Sequence, residues 1–285
     1  MNTLFSRRRF LFTALGAGAA ASSVAAYTRW FEPQHLRLTQ HTVTTGHEPA
    51  DQPLRLLHLS DLHASREIPL EYIARAVAQS VALKPDIICV TGDFVTRREE
   101  IPAGYADILR SLSAAAPTFA TLGNHDGGSW SARYGGPSTS ANVRAVLAAA
   151  GIPCLHNHAI DLTLRGRRIQ LVGLGDLWCG ECQPAPAFAP LLPTGRHTRV
   201  VLSHNPDSKS TLLPHDWDLL LSGHTHGGQI GIPFLARRFA PVQDKRFISG
   251  LHRWENRWLH VSQGVGCLFG VRFNCRPEIS LLTIT

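Results

Sequence analysis

Lysine is scarce in this chain of 285 residues and occurs only at Lys84, Lys209 and Lys245. Charged residues make up 17% of the chain and hydrophobic residues 44%, a balance typical of globular proteins and not of disordered ones. The net charge of +7 is therefore carried mainly by arginine. Without the N-terminal cluster Arg7–Arg9 the net charge falls to +4, which is too small to indicate a nucleic-acid partner.

A long hydrophobic run is also missing. The uncharged run from Phe10 to Ala26 is slightly shorter than the roughly 20 residues that a membrane-spanning helix needs. It follows the basic cluster Arg7–Arg9 and ends in small residues, which is the layout of a secretory signal. The order "SRRRFL" resembles the twin-arginine (Tat) signal that directs export of folded proteins.

We therefore predict that residues 1–26 are a Tat signal peptide, cut after Ala25 or Ala26, or else an uncleaved anchor. The expected partner at this stage is the Tat export machinery. The expected location is the periplasm, with attachment to the inner membrane, and so membrane association, if the segment is not cut.

The rest of the chain predicts an α/β protein. Residues 27–53 are polar and are predicted to be a linker with a first edge element, and residues 54–285 are predicted to form the domain. Strand-like and helical patterns alternate up to Gly151. The segments after it, through "EISLLTIT" at the C-terminus, are mostly strand-like and predict a second sheet packed against the first.

Six cysteines in an exported chain permit disulfides. Cys179 and Cys182 form "CGEC", which could be a redox pair or a zinc pair. One isolated pair is a weak signal, so a structural disulfide or plain buried thiols are favoured.

Polar side chains follow several predicted strands, each at the point where the strand ends. They are Asp61 and His63 in "LSDLH", Asp93 in "TGD", Asn124, His125 and Asp126 in "GNHD", His204 in "SHNPD", and His224 and His226 in "SGHTH". Ligands of layered α/β sheets bind outside the carboxyl ends of strands, so one crevice could hold all of these side chains.

The chemistry of these side chains favours metal ions. Asp61 and His63 are expected to alternate in an extended segment and to point the same way, as are His224 and His226. Imidazole, carboxylate and amide oxygen together suit Mn²⁺, Fe or Zn²⁺. The ligands are too many for one ion and suit two divalent ions, roughly 3.5–4 Å apart, that share an aspartate and clamp a phosphate. The neighbouring Gly223, Gly227 and Gly228 are expected to leave room for the backbone near the ions and the phosphate.

The motifs "DLH", "GD", "GNHD", a single histidine and "GHTH", in this order, resemble those of the calcineurin-like metallophosphoesterases. The resemblance spans Leu54 to about Gly228. Outside these motifs, "GDLWCGEC", "APVQDKRFISGL" and "NCRPE" resemble an exported bacterial phosphodiesterase subgroup of that family. The resemblance implies a four-layer α/β/β/α sandwich of two packed mixed β-sheets flanked by helices.

The resemblance also implies a role for each site residue. Asp61, His63 and His226 would hold one metal, Asn124, His204 and His224 the other, and Asp93 would bridge both. A hydroxide between the metals would attack phosphorus, His125 would act as general acid, and Asp126 would orient its imidazole.

The function expected is that of a phosphodiesterase or pyrophosphatase acting on a phosphodiester-containing small molecule or a lipid-linked substrate. One alternative is a UDP-2,3-diacylglucosamine pyrophosphatase of lipid A synthesis, and another is a non-catalytic metal-binding scaffold. A DNA-processing nuclease is disfavoured by the export signal and the modest charge. The residues around Trp178, Phe234, Phe239 and Leu268–Phe269 could line a lipid-contacting lip, although core positions are favoured.

Overall fold

The computed structural model describes residues 7–45, 52–96, 101–191 and 197–285. The strands are β1 (Arg37–Val43), β2 (Leu54–Leu59), β3 (Ile87–Thr91), β4 (Thr118–Thr121), β5 (His158–Leu164), β6 (Arg167–Gly173), β7 (Thr198–Leu202), β8 (Leu219–Ser222), β9 (Gly250–Trp254), β10 (Arg257–Val261) and β11 (Glu278–Ile284). The helices are α1 (Arg7–Ala26), α2 (Leu70–Ala82), α3 (Tyr105–Ala115), α4 (Ser129–Arg133), α5 (Ala141–Ala149), α6 (Pro184–Phe188) and α7 (Pro233–Phe239). Shorter helical turns span Tyr27–Phe31, Glu32–Gln34, Pro206–Ser210 and His226–Gly228.

The strands form two mixed sheets, in the orders β1-β11-β2-β3-β4 and β5-β6-β7-β8-β10-β9. In the first sheet β2, β3 and β4 run parallel, and in the second β6, β7, β8 and β10 do. The edge element predicted within residues 27–53 is β1. The prediction that the C-terminal strand belongs to the second sheet was wrong, because β11 lies between β1 and β2. Nearly every residue of β11 is buried, which suits an interior strand of either sheet.

The two sheets pack face to face, and helices cover the first of them. Side chains of β2 alternate, so that Leu54 and Leu56 join a core shared with the second sheet, which includes Leu171 and Leu219. Leu57 and Leu59 face the other way, onto a core built with Ile73 of α2, Leu109 of α3 and Leu147 of α5. Full burial of such a side chain stabilises the fold by about 1.5–3 kcal/mol, so these two cores fix how the layers stack.

The outer face of the second sheet carries a thinner layer. Val201 and Leu220 pack there against Phe188 of α6 and against Trp217. The four-layer α/β/β/α sandwich is thereby confirmed. In the described parts of the chain, no helix combines the length and apolar character needed to cross a membrane.

Two expectations about single side chains can be checked against the fold. All six cysteines are free thiols. Of the alternatives left open for them, the structural disulfide is therefore not formed in this structure. The preference for core positions at the four aromatic residues was wrong: Trp178, Phe234, Phe239 and Phe269 expose 38%, 75%, 62% and 71% of their surface. Residue type alone does not reveal burial, because much of a folded protein's surface is apolar.

Candidate metal centre

The loops that follow β2, β3, β4, β7 and β8 meet at one edge of the sandwich. Parallel pairing sends the carboxyl ends of β2, β3 and β4 to the same edge, and β7 and β8 are likewise parallel. Every site residue predicted from the sequence lies in one of these loops and is buried, with His125 the most exposed at 8%. The strand-end pattern therefore located the crevice correctly.

The backbone of the ligand loops is not extended. Asp61, His63, Asp93, His224 and His226 have φ values of 53°, 50°, 55°, 68° and 49°, all in the left-handed region. The expectation that Asp61 and His63, and likewise His224 and His226, alternate in an extended segment was therefore wrong. Their left-handed backbone conformation sets the direction of these side chains instead. Each such non-glycine residue costs on the order of 1–3 kcal/mol, and a cluster of them is typical of functional sites.

Glycines beside the ligands make room for carboxylates. A Cβ on Gly223 would collide with Ser60 and with the Asp61 carboxylate, and a Cβ on Gly123 would collide with the Asp93 carboxylate. A Cβ on Gly227 would likewise collide with Cys275, and one on Gly228 with the Ala236 backbone, so the missing side chains let the backbone approach its neighbours closely at all three positions, while the expected room near ions stays a prediction.

Four of the predicted ligands form one compact group. His63 Nε2 lies 3.1 Å from His226 Nε2 and 3.4 Å from Asp93 Oδ2. His226 Nε2 lies 3.4 Å from Asp61 Oδ1. Donor atoms of Asp61, His63, Asp93 and His226 all lie within 4.8 Å of one another, so they could hold one cation.

A second group begins at the same aspartate. His204 Nε2 lies 3.2 Å from Asp93 Oδ2 and 3.3 Å from His224 Nδ1. Asn124 Oδ1 is buried and accepts no hydrogen bond from the described residues. A buried acceptor without a donor is costly unless something binds it, and an amide oxygen is a ligand that suits a divalent cation. The first group therefore has both the chemistry and the geometry of a metal site, the second set has the chemistry, and Asp93 lies next to histidines of both.

The imidazoles are fixed by hydrogen bonds on the ring nitrogens that point away from the centre. His204 Nδ1 donates to the Thr91 carbonyl over 2.7 Å, and His224 Nε2 donates to the Pro241 carbonyl over 3.1 Å. His63 Nδ1 lies 2.5 Å from Thr96 Oγ1. Metal-binding histidines typically hold their second nitrogen in this way, which leaves the inner nitrogen free for the ion.

Burial and charge also favour cation binding. Burial lowers the pKa of His63 to about 3 and holds the pKa values of His224 and His226 well below the usual range, so these imidazoles are neutral. Burial opposes ionisation of Asp93, but the nearby His204 and other imidazoles hold its pKa well below its usual range. Burial raises the pKa of Asp61 to about 6. Burial opposes protonation of His204, but the Asp93 carboxylate holds the pKa of this imidazole well above its usual range, so His204 would give up a proton when a cation binds. The other three imidazoles and the ionised Asp93 carboxylate are already in the forms that bind metal.

Asp126 organises the loop that carries Asp93. Its Oδ2 accepts hydrogen bonds from the amides of Asp93 and Gly123, both at 2.8 Å, and its Oδ1 accepts from Phe94 at 2.7 Å and Val95 at 3.3 Å. In return, the His125 amide donates to Asp93 Oδ1 over 2.9 Å, which leaves Oδ2 facing the imidazoles. The orientation of the His125 imidazole by Asp126 stays a prediction, and the structure adds this second role.

The Asp126→Asn variant is expected to lose about 2–4 kcal/mol of unfolding free energy. The reason is that the NH₂ group of asparagine would face backbone N–H groups whose hydrogen bonds the carboxylate now accepts. Its metal affinity should fall as the Asp93 loop shifts. Denaturant unfolding and metal titration measure the two effects. Asp107→Asn, at an exposed position in α3, is the matched control and should change neither.

Sequence reasoning missed Trp130 and Tyr134 at the rim and the buried Asp176, and it named Trp178 only as part of a possible lipid-contacting lip. The His125 ring makes an edge contact with Trp130 at 4.9 Å, Trp130 packs on Tyr134, and Trp178 makes an edge contact with His224 at 4.2 Å. Asp176 is buried with its Oδ2 unpaired among the described residues. The "GD" at Asp176 follows β6 as the "GD" at Asp93 follows β3, and this repeat was the available signal.

A family model described as calcineurin-like phosphoesterase matches residues 54–228 of the chain. The phosphodiesterase YaeI of Escherichia coli is 41% identical, in a match that covers 99% of this chain and 100% of YaeI. The metallophosphoesterase YkuE of Bacillus subtilis is 31% identical over 98% of this chain and 97% of YkuE. The UDP-2,3-diacylglucosamine pyrophosphatase LpxG of Chlamydia trachomatis is 27% identical over 95% of this chain and 98% of LpxG.

Proposed function

Since this chain belongs to the calcineurin-like phosphoesterase family and is similar over its full length to YaeI, we propose that it is a phosphodiesterase that works with two divalent metal ions. The observation that carries the proposal is the position of Asp93 Oδ2, which lies 3.4 Å from His63 Nε2 and 3.2 Å from His204 Nε2. One carboxylate oxygen between two sets of histidine donors is the arrangement that a pair of metals requires.

Each metal has its own ligands in this proposal. One set is Asp61, His63 and His226, the other is Asn124, His204 and His224, and Asp93 serves both. When bound, the ions would lower the pKa of water and offset negative charge on the phosphoryl oxygens. The donor set suits Mn²⁺, Fe or Zn²⁺.

His125 is the proposed general acid. Its backbone is fixed by the bond to Asp93 Oδ1, and its ring packs against the rings of His63 and Trp130 at the mouth of the centre. As water attacks phosphorus and the bond to the leaving oxygen breaks, the His125 imidazolium would donate its proton to that oxygen. An imidazole suits this task because its usual pKa is about 6.5, near neutral pH.

Two adjoining recesses border the predicted site residues and support a diester over a monoester. A recess of about 370 Å³ beside His125 is lined by Trp130 and Tyr134. A groove of about 490 Å³ shares Leu268 and Phe269 with it and reaches from His224 and His226 to apolar side chains. A phosphodiester has two substituents, and each recess could take one.

A second candidate is a pyrophosphatase that acts on a diacylated nucleotide sugar, the substrate named for LpxG. The apolar groove beside His226 favours it, because Ile230, Phe239 and Val271 line the groove. Turnover of that substrate at a higher kcat/KM than soluble dinucleotides would select this candidate.

We further propose that residues 1–26 are a Tat signal or anchor and that residues 54–285 work in the periplasm. The support is the "SRRRFL" pattern and the uncharged run after it. Retention of an Arg7→Lys, Arg8→Lys variant in the cytoplasm is the expected result. Unchanged export of this variant would contradict the Tat proposal.

The proposed activity is tested with bis-p-nitrophenyl phosphate and p-nitrophenyl phosphate. The Mn²⁺-, Zn²⁺- or Fe-loaded protein is expected to hydrolyse the diester faster than the monoester. Chelation should abolish turnover, and restored metal should return it. A folded, metal-loaded protein without turnover would instead support the non-catalytic scaffold.

A further inference from the structure

Exposed apolar side chains surround the mouth of the groove beside His224 and His226. Phe234 and Phe239 on α7 expose 75% and 62% of their surface, Phe269 exposes 71%, and Ile232 exposes 43%. Monomeric proteins rarely leave large apolar side chains clustered in this way without a binding role. We define the mouth patch as Ile232, Phe234, Arg237, Arg238, Phe239 and Phe269.

All members of the mouth patch except Phe269 come from one short stretch of chain, α7 and the residue before it. Phe239 and Phe269 line the same groove. The loop that bears Phe269 is tied to the turn before α7 by a hydrogen bond of 2.7 Å from the Leu268 amide to Gln229 Oε1. The α7 backbone at Ala236 packs against Gly228, two residues after the proposed ligand His226. The patch and the metal centre are therefore joined through a few residues of the same loops.

The charge of the mouth patch is positive. Arg237 and Arg238 are exposed in the last turn of α7. The sequence contains no aspartate or glutamate from residue 229 to residue 243. Glu67 lines the recess beside His125 together with Phe269, and Arg66 lies next to it in the sequence.

The N-terminal segment continues this surface. The Arg272 amide donates to the Thr28 carbonyl over 3.0 Å, and Arg29 Nη1 donates to the Gly270 carbonyl over 3.3 Å. These bonds hold the turn Tyr27–Phe31 beside the loop of Phe269. Trp30 and Phe31 in that turn expose 67% and 58% of their surface.

We propose that the mouth patch binds the surface of an anionic lipid bilayer, with the metal centre facing the headgroups. Aromatic side chains that enter the interface beside arginines that pair with anionic lipid are the pattern of a protein lying on a membrane. The protein does not need to cross the bilayer for this contact, because the side chains of the mouth patch enter only the membrane–water interface. If the phosphodiesterase proposal holds, a substrate in the headgroup layer reaches the centre without leaving the membrane.

The test is sedimentation of the full-length protein with vesicles of phosphatidylglycerol and phosphatidylcholine. The parent protein should bind these vesicles, bind pure phosphatidylcholine more weakly, and lose affinity at high salt. The Phe234→Ser, Phe239→Ser, Phe269→Ser variant should lose affinity on the order of 100-fold. The Arg237→Gln, Arg238→Gln variant should lose roughly 25-fold. Leu213→Ser, at an exposed apolar residue between β7 and β8 and outside the mouth patch, is the control and should bind like the parent.

Hydrogen exchange locates the contact. Vesicles should protect the amides of residues 230–240 and 268–271. Protection confined to α1 would overturn the proposal, as would equal binding by the parent and the triple variant. The proposal would also be overturned if the parent protein formed a dimer without vesicles and the triple variant were monomeric, because the patch would then bind a second copy of the chain. Vesicle binding is measured without turnover, so a His125→Asn protein should bind vesicles like the parent even though its hydrolysis is impaired. A failure of the membrane proposal is thereby distinguished from a failure of the proposed function.

Discussion

Replacing Asp93 with asparagine is expected to lower kcat/KM on the order of 10³-fold and to reduce bound metal from two ions per chain to one or fewer. The Asp93 carboxylate lies within 3.4 Å of imidazoles from both donor groups, so its charge serves both. Asparagine retains an oxygen that can accept the hydrogen bond from the His125 amide. The loss of activity and of metal therefore reports the missing charge and not a displaced backbone. Loss of several kcal/mol of transition-state stabilisation accounts for this magnitude.

Elemental analysis of the purified variant and steady-state kinetics measure the two effects together. Asp107→Asn, an exposed substitution of the same type in α3, should retain both metals and full activity. An Asp93→Asn protein that kept two ions and its activity would show that Asp93 does not join two metals.

The His125→Asn variant is expected to lose about 10²–10⁴-fold in kcat while it retains its metals. The side chain of His125 lies at the mouth of the centre, beside Trp130, and its ring belongs to neither donor group. The loss should be larger for a diester with an alkyl leaving group than for a nitrophenyl diester, because a nitrophenolate departs readily without a proton.

The comparison of leaving groups separates acid catalysis from simple positioning. A positioning role would reduce the rates of both diesters by the same factor. An equal loss for both, or a loss of metal in His125→Asn, would contradict the proposed proton transfer. Thr96→Val, which removes the hydroxyl beside His63 Nδ1, should instead weaken metal binding with little dependence on the leaving group.

The sequence predicted the location of the site better than its local geometry. Polar residues at strand ends identified the crevice because parallel strands deliver their carboxyl ends to one edge. The conformation of Asp61 and His63 could not be predicted from residue type, since a left-handed turn at aspartate or histidine is set by the surrounding packing. Gly223 is an instance of that packing, because its missing side chain admits the Asp61 carboxylate.

The sheet order and the surface were harder to predict. The β11 strand has apolar side chains on both faces and is almost wholly buried, so its pattern fits an interior position in either sheet. Only tertiary pairing with β1 and β2 decides between the two sheets. Phe234 and Phe269 are apolar residues in irregular or short segments, where no period separates core from surface. Their exposure beside the groove became visible only in three dimensions.

The most direct test of the account is a crystal structure of the metal-loaded protein with diffraction data recorded at the absorption edges of the bound metals. Two anomalous peaks are expected, roughly 3.5–4 Å apart, with Asp93 touching both. His63 and His226 should bind one ion, and His204 and His224 the other. A single ion, or two ions that Asp93 does not share, would contradict the two-metal centre.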